Sequence, residues 1–196
     1  MRVPSFVFIA VLSVAHLAHG QTVEGRLQWA REAIDANAVT RHSEPPAQVG
    51  GTKWQVTKID GCQVELTETI HRDLPDSIVS RGEVFGSAED KIVTWNFDLA
   101  MLLPQYILAD TSVAVPQIKI FAEGDVFHLT TAFVSKTLRK DGSVADTRTW
   151  STPGNTRNLW MNFDSASVDN KAVVRRLEAD LRGAVLECSG QLRGRK

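Results

Sequence analysis

One short stretch carries the residue types of a metal or acid–base site. His71-Arg72-Asp73 is followed by Asp76, and an imidazole beside carboxylates can bind a divalent metal. The spacing is generic, Arg72 is a poor neighbour for a cation, and no further ligand cluster follows. An ordinary polar cluster at a strand end explains the pattern equally simply, and we favour it. We therefore predict no metal ligands, no cofactor and no catalytic residues.

Sequence motifs of known catalytic chemistry are absent as well. The chain has no nucleophile elbow, zinc-protease helix, phosphate-binding glycine loop or thiol redox pair. Catalysis needs converging groups, and the carboxylates here are scattered. The sequence favours a non-catalytic binding or envelope-interaction module. Two alternatives stay open: a small extracytoplasmic hydrolase whose residues assemble only in three dimensions, and a structural envelope protein without a ligand.

An apolar linker is the best candidate for a ligand site. Leu99 to Ala109 alternates poorly and contains Pro104, so it predicts neither a strand nor a continuous helix. A linker that passes the end of a sandwich can border the gap between its layers, and small-molecule sites are mostly apolar. The alternative is a connector whose leucines complete the core. The predicted lining residues are Leu102, Leu103, Tyr106 and Ile107, and the expected partner is an apolar small molecule, a lipid or an envelope protein.

The first 20 residues have the pattern of an export signal. Met1-Arg2 is positive, Val3 to Leu17 is largely apolar, and Ala18-His19-Gly20 places small residues where signal peptidase cleaves. The apolar run is too short for a permanent anchor, and no second long one follows. We expect cleavage before Gln21 and a secreted or periplasmic protein without a transmembrane anchor.

The remaining length and charge limit the function further. Removing residues 1–20 leaves 176 of the 196 residues, enough for one well-buried core. The net charge moves from −1 to −2 with the loss of Arg2, so no nucleic-acid partner is expected. The domain prediction is a signal peptide (1–20), an N-terminal helix and loop (21–51), a β-sandwich with a C-terminal helix (52–190) and a basic tail (191–196).

The two cysteines predict one disulfide. Cys62 and Cys188 are the only cysteines, and an exported chain is oxidised. Both lie on core-facing lines by periodicity, and their bond would tie the last helix to an early strand. The alternative is two free buried thiols.

Two amphipathic helices flank the predicted strands. Val23, Leu27, Ala30 and Ile34 predict a helix from Thr22 to Ala38. The last helix is predicted from Asp164 to Cys188, with a cap at Asp164, Ser165 or Ser167 and a stop at Gly190. Its apolar stripe consists of Val173, Leu177, Leu181, Ala184 and Cys188.

Alternating residues and turn signals predict the strands between the helices. Hairpins are predicted at Asp60-Gly61 and Asp141-Gly142, a loop at Thr40–Gly51, a turn at Leu74-Pro75-Asp76 and a break at Pro153-Gly154-Asn155. The fold class is mainly β (α+β): an antiparallel two-layer sandwich of about seven strands with an N-terminal helix and a closing C-terminal helix. This order of elements is similar to the pleckstrin-homology-like sandwich, whose final helix plugs one open end.

The second half also resembles uncharacterised secreted bacterial proteins. The residues that carry this resemblance are Trp95-Asn96-Phe97-Asp98-Leu99, the lysine-rich turn Lys136 to Gly142, and Asp164 with a helix that ends Ala184 to Cys188. The segment from Leu99 to Gln117 is longer here than in that pattern, and the resemblance implies no activity. Trp160 has outward parity, which predicts either an exposed aromatic or one covered by the first helix through Trp29.

Overall fold

Long antiparallel strands dominate the chain between two helices. The computed structural model describes residues 23–44, 48–80, 83–164 and 169–193. The export signal predicted at residues 1–20 lies outside them. The helices are α1 (Val23–Asn37) and α2 (Asn170–Arg193), and the strands are β1 (Val39–Glu44), β2 (Gln48–Asp60), β3 (Gln63–Ser80), β4 (Glu83–Asp98), β5 (Ile107–Asp110), β6 (Gln117–Phe121), β7 (Phe127–Leu138), β8 (Val144–Thr156) and β9 (Asn158–Asn162).

The strands form two antiparallel sheets. The large sheet has the order β1-β2-β3-β4-β7-β8, and the small sheet has the order β5-β6-β9. Strands β5 and β6 interrupt the meander between β4 and β7, which are neighbours in the large sheet. The predicted fold class, a mainly β sandwich with an N-terminal and a C-terminal helix, is confirmed. The described residues hold more strands than predicted because β1 and β5 lie in segments read as a loop and a linker.

The core lies between one end of the large sheet, the small sheet and both helices. Helix α1 packs on β2 and α2, and α2 packs on β5 and β6. The predicted stripe of α2 faces this core, with only Val173 less than fully buried. Each fully buried leucine or phenylalanine contributes about 1.5–3 kcal/mol relative to an exposed one. On the solvated side of α2, Glu178 and Arg182 form an i,i+4 ion pair, with Arg182 Nη2 2.8 Å from Glu178 Oε1.

The ends of α2 differ from the prediction. The helix begins at Asn170, and its cap is the Asp169 carboxylate, which accepts from the N–H groups of Lys171 (3.1 Å) and Ala172 (3.2 Å). Asp164 precedes the helix, and Ser165 and Ser167 lie outside the described residues. The predicted stop at Gly190 is wrong because the helix continues to Arg193. A glycine costs a helix only about 1 kcal/mol, which packing of the preceding turn offsets.

Two predicted breaks lie inside strands. The turn predicted at Leu74-Pro75-Asp76 is wrong, because β3 runs to Ser80 with a register shift between Leu74 and Ile78. The break predicted at Pro153-Gly154-Asn155 is wrong as well, since β8 runs through it. Proline lacks a backbone donor, and sheets accommodate it at bulges and on edge strands such as β8.

The predicted hairpins are confirmed, and the predicted loop is corrected. Gly61 and Gly142 adopt positive φ (58° and 79°) in the β2–β3 and β7–β8 turns, a conformation that glycine tolerates without strain. The loop predicted at Thr40–Gly51 is largely strand, because β1 and β2 pair from Val39↔Lys53 to Glu44↔Gln48. Residues 45–47 lie outside the described part.

Candidate functional site

The large sheet extends beyond the helices that cover its other end. Leu66 and Trp95 are paired on the face that points to the core, and the same face continues through Ile70 and Lys91 to Phe133. We call this the inner face, and we call residues 69–80, 83–92, 131–138 and 144–152 the outer half of the sheet. The inner face of the outer half holds a cleft of about 340 Å³. It is lined by Ile70, Arg72, Glu89, Asp90, Lys91, Phe133, Val134, Ser135 and Trp150.

Two stacked aromatic rings form one wall of the cleft. Phe133 and Trp150 are opposite each other on β7 and β8, with centroids 5.1 Å apart and planes at 11°. Trp150 is 48% exposed, so one face of its indole ring is open to a ligand. Aromatic side chains at this exposure supply rigid contact area at little entropic cost. The cleft therefore has a preformed apolar wall.

Charged side chains line the rest of the cleft. Arg72 is opposite Glu89 across β3 and β4, and Lys91 is opposite Ile70. Deeper on the same face, burial raises the pKa of Glu68 above its ordinary value, and Lys91 acts in the opposite direction. The indole nitrogen of Trp95 is buried without a well-aligned hydrogen-bond partner, and it also lowers the pKa of Glu68. The Lys91 cation of the cleft thus acts on a partly desolvated carboxylate on the same face.

The predicted polar cluster at His71 lies on the opposite face of the sheet. His71 Nδ1 is 2.6 Å from Asp90 Oδ1, and Nε2 is 3.2 Å from Asp73 Oδ1. The hydrogen bond to Asp90 raises the pKa of His71 above its ordinary value, with Asp73 adding to the effect and desolvation opposing it. Because both nitrogens face carboxylates, neither is available as a general base. Arg72 points to the other face, into the cleft.

No metal centre forms around this histidine within the described side chains. No group of three or more ligating side chains there is arranged to hold a metal ion. The side chain of Asp76 lies outside the described part. His128, on β7, is exposed and lies 2.9 Å from the Asn155 amide oxygen.

The residues predicted to line a ligand site lie elsewhere. Leu102 and Ile107 are buried in the core, Leu103 is half-buried, and Tyr106 is 36% exposed. Two 3₁₀ turns and β5 build this linker, and Arg182 Nε donates to the Ile107 carbonyl at 2.9 Å. None of the four lines the cleft. A ligand site at these residues stays a prediction.

The cysteine prediction is confirmed. Cys62 and Cys188 are bonded, with Cα atoms 5.9 Å apart and a sequence separation of 126. Cys62 lies in the β2–β3 turn, and Cys188 is a buried residue of α2. The disulfide thus joins the last helix to the large sheet, as predicted.

The two tryptophans singled out from the sequence are placed apart. Trp160 is 54% exposed on the outer face of the small sheet, near Phe121 (6.5 Å between centroids) and Lys119 (5.8 Å). Trp29 instead lies under the Arg176 guanidinium, 3.8 Å from its ring centroid, at the α1–α2 contact. Trp160 is therefore an exposed aromatic, and Trp29 docks one helix on the other.

Sequence reasoning missed the exposed aromatic residue of the cleft, Trp150. The signal was available in the Asp141-Gly142 turn, because a two-residue loop there pairs residues whose numbers sum to 283, and the observed pairs beyond the bulge at Ala145 have that sum. That rule places Trp150 opposite Phe133, which is the pair observed. The Asp141-Gly142 turn together with Phe133 and Trp150 is the sequence pattern that predicts this aromatic pair.

No protein-family model matches the chain, and no curated protein or solved structure gives a significant match. Among the described helices, none has the length and apolar character that crossing a membrane requires.

Proposed function

We propose that this protein is an exported, non-catalytic binding module that takes an amphipathic, largely apolar ligand in the cleft of the outer half. The observation that carries the proposal is the stacked Phe133–Trp150 wall beside Arg72 and Lys91. The volume of about 340 Å³ is within the range of small-molecule sites. An apolar chain or ring fits the aromatic wall, and a polar head group fits the charged side chains.

Two features support the exported location. Residues 1–20 have the composition of a cleavable signal, and the Cys62–Cys188 disulfide is of a kind that persists in oxidising compartments. Together they favour the periplasm or the exterior over the cytoplasm.

Binding is favoured over hydrolysis by the state of His71. A hydrolytic histidine needs one nitrogen free to take a proton from a nucleophile or water. Both nitrogens of His71 face carboxylates, and the raised pKa favours the charged form, which is no base. The imidazole instead ties β3 to β4 behind the cleft.

The test compares two exposed tryptophans. Dodecanoate, a single apolar chain with one head group, is titrated into the purified protein and into the Trp150→Ala and Trp160→Ala variants. Trp150→Ala should weaken binding at least about tenfold, as expected for an aromatic anchor. Trp160→Ala is the matched control, because this residue is as exposed but lies on the small sheet.

Native mass spectrometry of protein purified from its own envelope gives an independent answer. A retained lipid-sized mass that Trp150→Ala loses and Trp160→Ala keeps supports the cleft. Equal loss in both variants, or a ligand lost only when Tyr106 is changed, contradicts it. Co-purifying proteins without any small ligand would favour a structural envelope protein.

A further inference from the structure

Strand β8 ends the large sheet with an open edge. In the described part of the chain no strand pairs with its outer side, and its side chains from Val144 to Asn155 are exposed. Unpaired backbone groups on such an edge are a template for another strand. We infer that a second copy of this chain pairs here, β8 against β8, in a two-fold symmetric antiparallel dimer.

Pro153 identifies the backbone groups that face this edge. It lies opposite Thr130 within a regular β7–β8 ladder. A proline is accommodated inside a strand only where its nitrogen points away from the neighbouring strand. Backbone direction alternates along a strand, so the N–H groups of Ser151, Thr149 and Thr147 also point to the open edge. These three residues supply the donors and acceptors for a second copy.

Two interruptions restrict the register of that pairing. A bulge shifts the β7–β8 register between Thr137↔Asp146 and Leu138↔Val144, which leaves Ala145 unpaired. Pro153 lacks a donor at the other end, so regular pairing can span Asp146 to Thr152. Thr149 is the midpoint of that span. A two-fold axis at Thr149 also places Ala145 of one copy opposite Pro153 of the other, so the two irregular positions coincide.

The side chains are complementary in this register. Arg148 of each copy lies opposite Trp150 of the other, and a guanidinium next to an aromatic ring is a favourable cross-strand pair. Thr147 lies opposite Ser151, and Thr149 lies opposite itself, which are favourable hydroxyl pairs. Arg148 can change partner in the dimer, because its present ion pair with Asp146 (3.1 Å) is highly exposed to solvent.

The neighbouring registers are worse. An axis at Arg148 places two guanidinium groups directly opposite each other, which is destabilising. An axis at Trp150 places Pro153 opposite Thr147 and loses a hydrogen bond on each side. With a two-fold axis at Thr147, the bulge at Ala145 interrupts the ladder between the two β8 strands after only one residue pair on each side. The net charge of −2 after loss of residues 1–20 adds little repulsion between copies in any register.

Thiol cross-linking tests the axis directly. Thr149→Cys places two thiols on residues whose Cα atoms lie about 5.5 Å apart across the dimer, so a short bismaleimide should give a covalent dimer. Ala145→Cys is the matched control on the same strand, since an offset of eight residues separates the two copies of that position by about 26 Å. Cross-linking of the first variant and not the second supports the register. Equal cross-linking, or none in the first, overturns it.

Sedimentation velocity tests the backbone pairing. The protein should show a concentration-dependent monomer–dimer equilibrium. Thr149→Pro removes an outward N–H at the axis and should weaken dimerisation at least about tenfold, while Thr149→Val keeps that N–H and should dimerise. Circular dichroism confirms that both variants fold. A protein that stays monomeric up to about 1 mM, or a dimer that a folded Thr149→Pro variant leaves unchanged, overturns the inference.

Discussion

Removing the disulfide should cost a large part of the stability of this fold. Cys62→Ala/Cys188→Ala deletes a cross-link between residues 126 apart. The chain-entropy model assigns about 5 kcal/mol to a closed loop of that length, and measured losses of native disulfides are typically about 2–5 kcal/mol. Alanine is preferred to serine because Cys188 is 1% exposed, and a hydroxyl there would be buried without a designed partner.

Urea unfolding measures this cost. With an m-value of about 2 kcal/mol per molar, a loss of about 2–5 kcal/mol lowers the midpoint by about 1–2.5 M. Reductant should lower the wild-type midpoint by a similar amount and leave the double variant unchanged, which controls for the reagent. Intact mass after alkylation verifies the bond in the starting material. A midpoint shift below about 0.5 M would refute the loop-entropy reasoning.

Hydrogen exchange shows which part of the chain loses stability when the disulfide is removed. Because the bond holds the C-terminal part of α2 on the β2–β3 turn, amides of that part should exchange faster in the double variant before the large sheet does. A uniform increase in amide exchange rate over the chain would contradict a local role of the disulfide at α2 and would show only a global effect on stability.

Three further predictions concern single side chains. NMR titration should give His71 a pKa above 6.5, and Asp90→Asn should lower that pKa. The ion pair of His71 with Asp90 stabilises the fold below pH 6.5, and this stabilisation is lost as the pH rises through the folded-state pKa of His71. Hydrogen bonds from Lys119 and Ser112 lower the pKa of Asp110 to about 2. The ionised Asp110 carboxylate should therefore stabilise the fold above pH 3.8, and this stabilisation should disappear as the pH falls toward 2. The Asp110→Asn variant should lack this pH-dependent loss of stability in acid unfolding. Leu177→Ala should cost about 2–5 kcal/mol in urea unfolding, because the side chain is fully buried, whereas Leu186→Ala, at a residue 62% exposed, should change stability by less than about 0.5 kcal/mol.

Periodicity was sufficient where one face is buried and the other is solvated. It placed α1 within one residue at each end, the stripe of α2, both glycine hairpins and the core-facing parity of Cys62. It failed where a tertiary partner overrides a local signal. The sequence predicts breaks at Pro75 and Pro153, but a bulge and a sheet edge accommodate these prolines within strands.

The candidate site was less accessible to sequence reasoning than the fold. The cleft lies where the sheet extends past its helices, and periodicity does not report how far a helix covers a strand. The apolar linker was the longest hydrophobic segment without a strand assignment, but its turns pack under α2. Trp150 lies among Thr, Arg and Ser in a strand that is polar on average, and its partner is specified only by the hairpin register.

The contact between the first and last helices sets an order for the synthesis of this protein. Arg26 of α1 lies 3.6 Å from Asp180 of α2, and the Asp164 amide donates to the Val39 carbonyl. A nascent chain that still lacks α2 can cover only the part of α1 that packs on β2, and it has no partner for Cys62. The native core therefore closes only after the ribosome has added α2. Until α2 is made, the apolar side chains that it covers stay exposed to solvent.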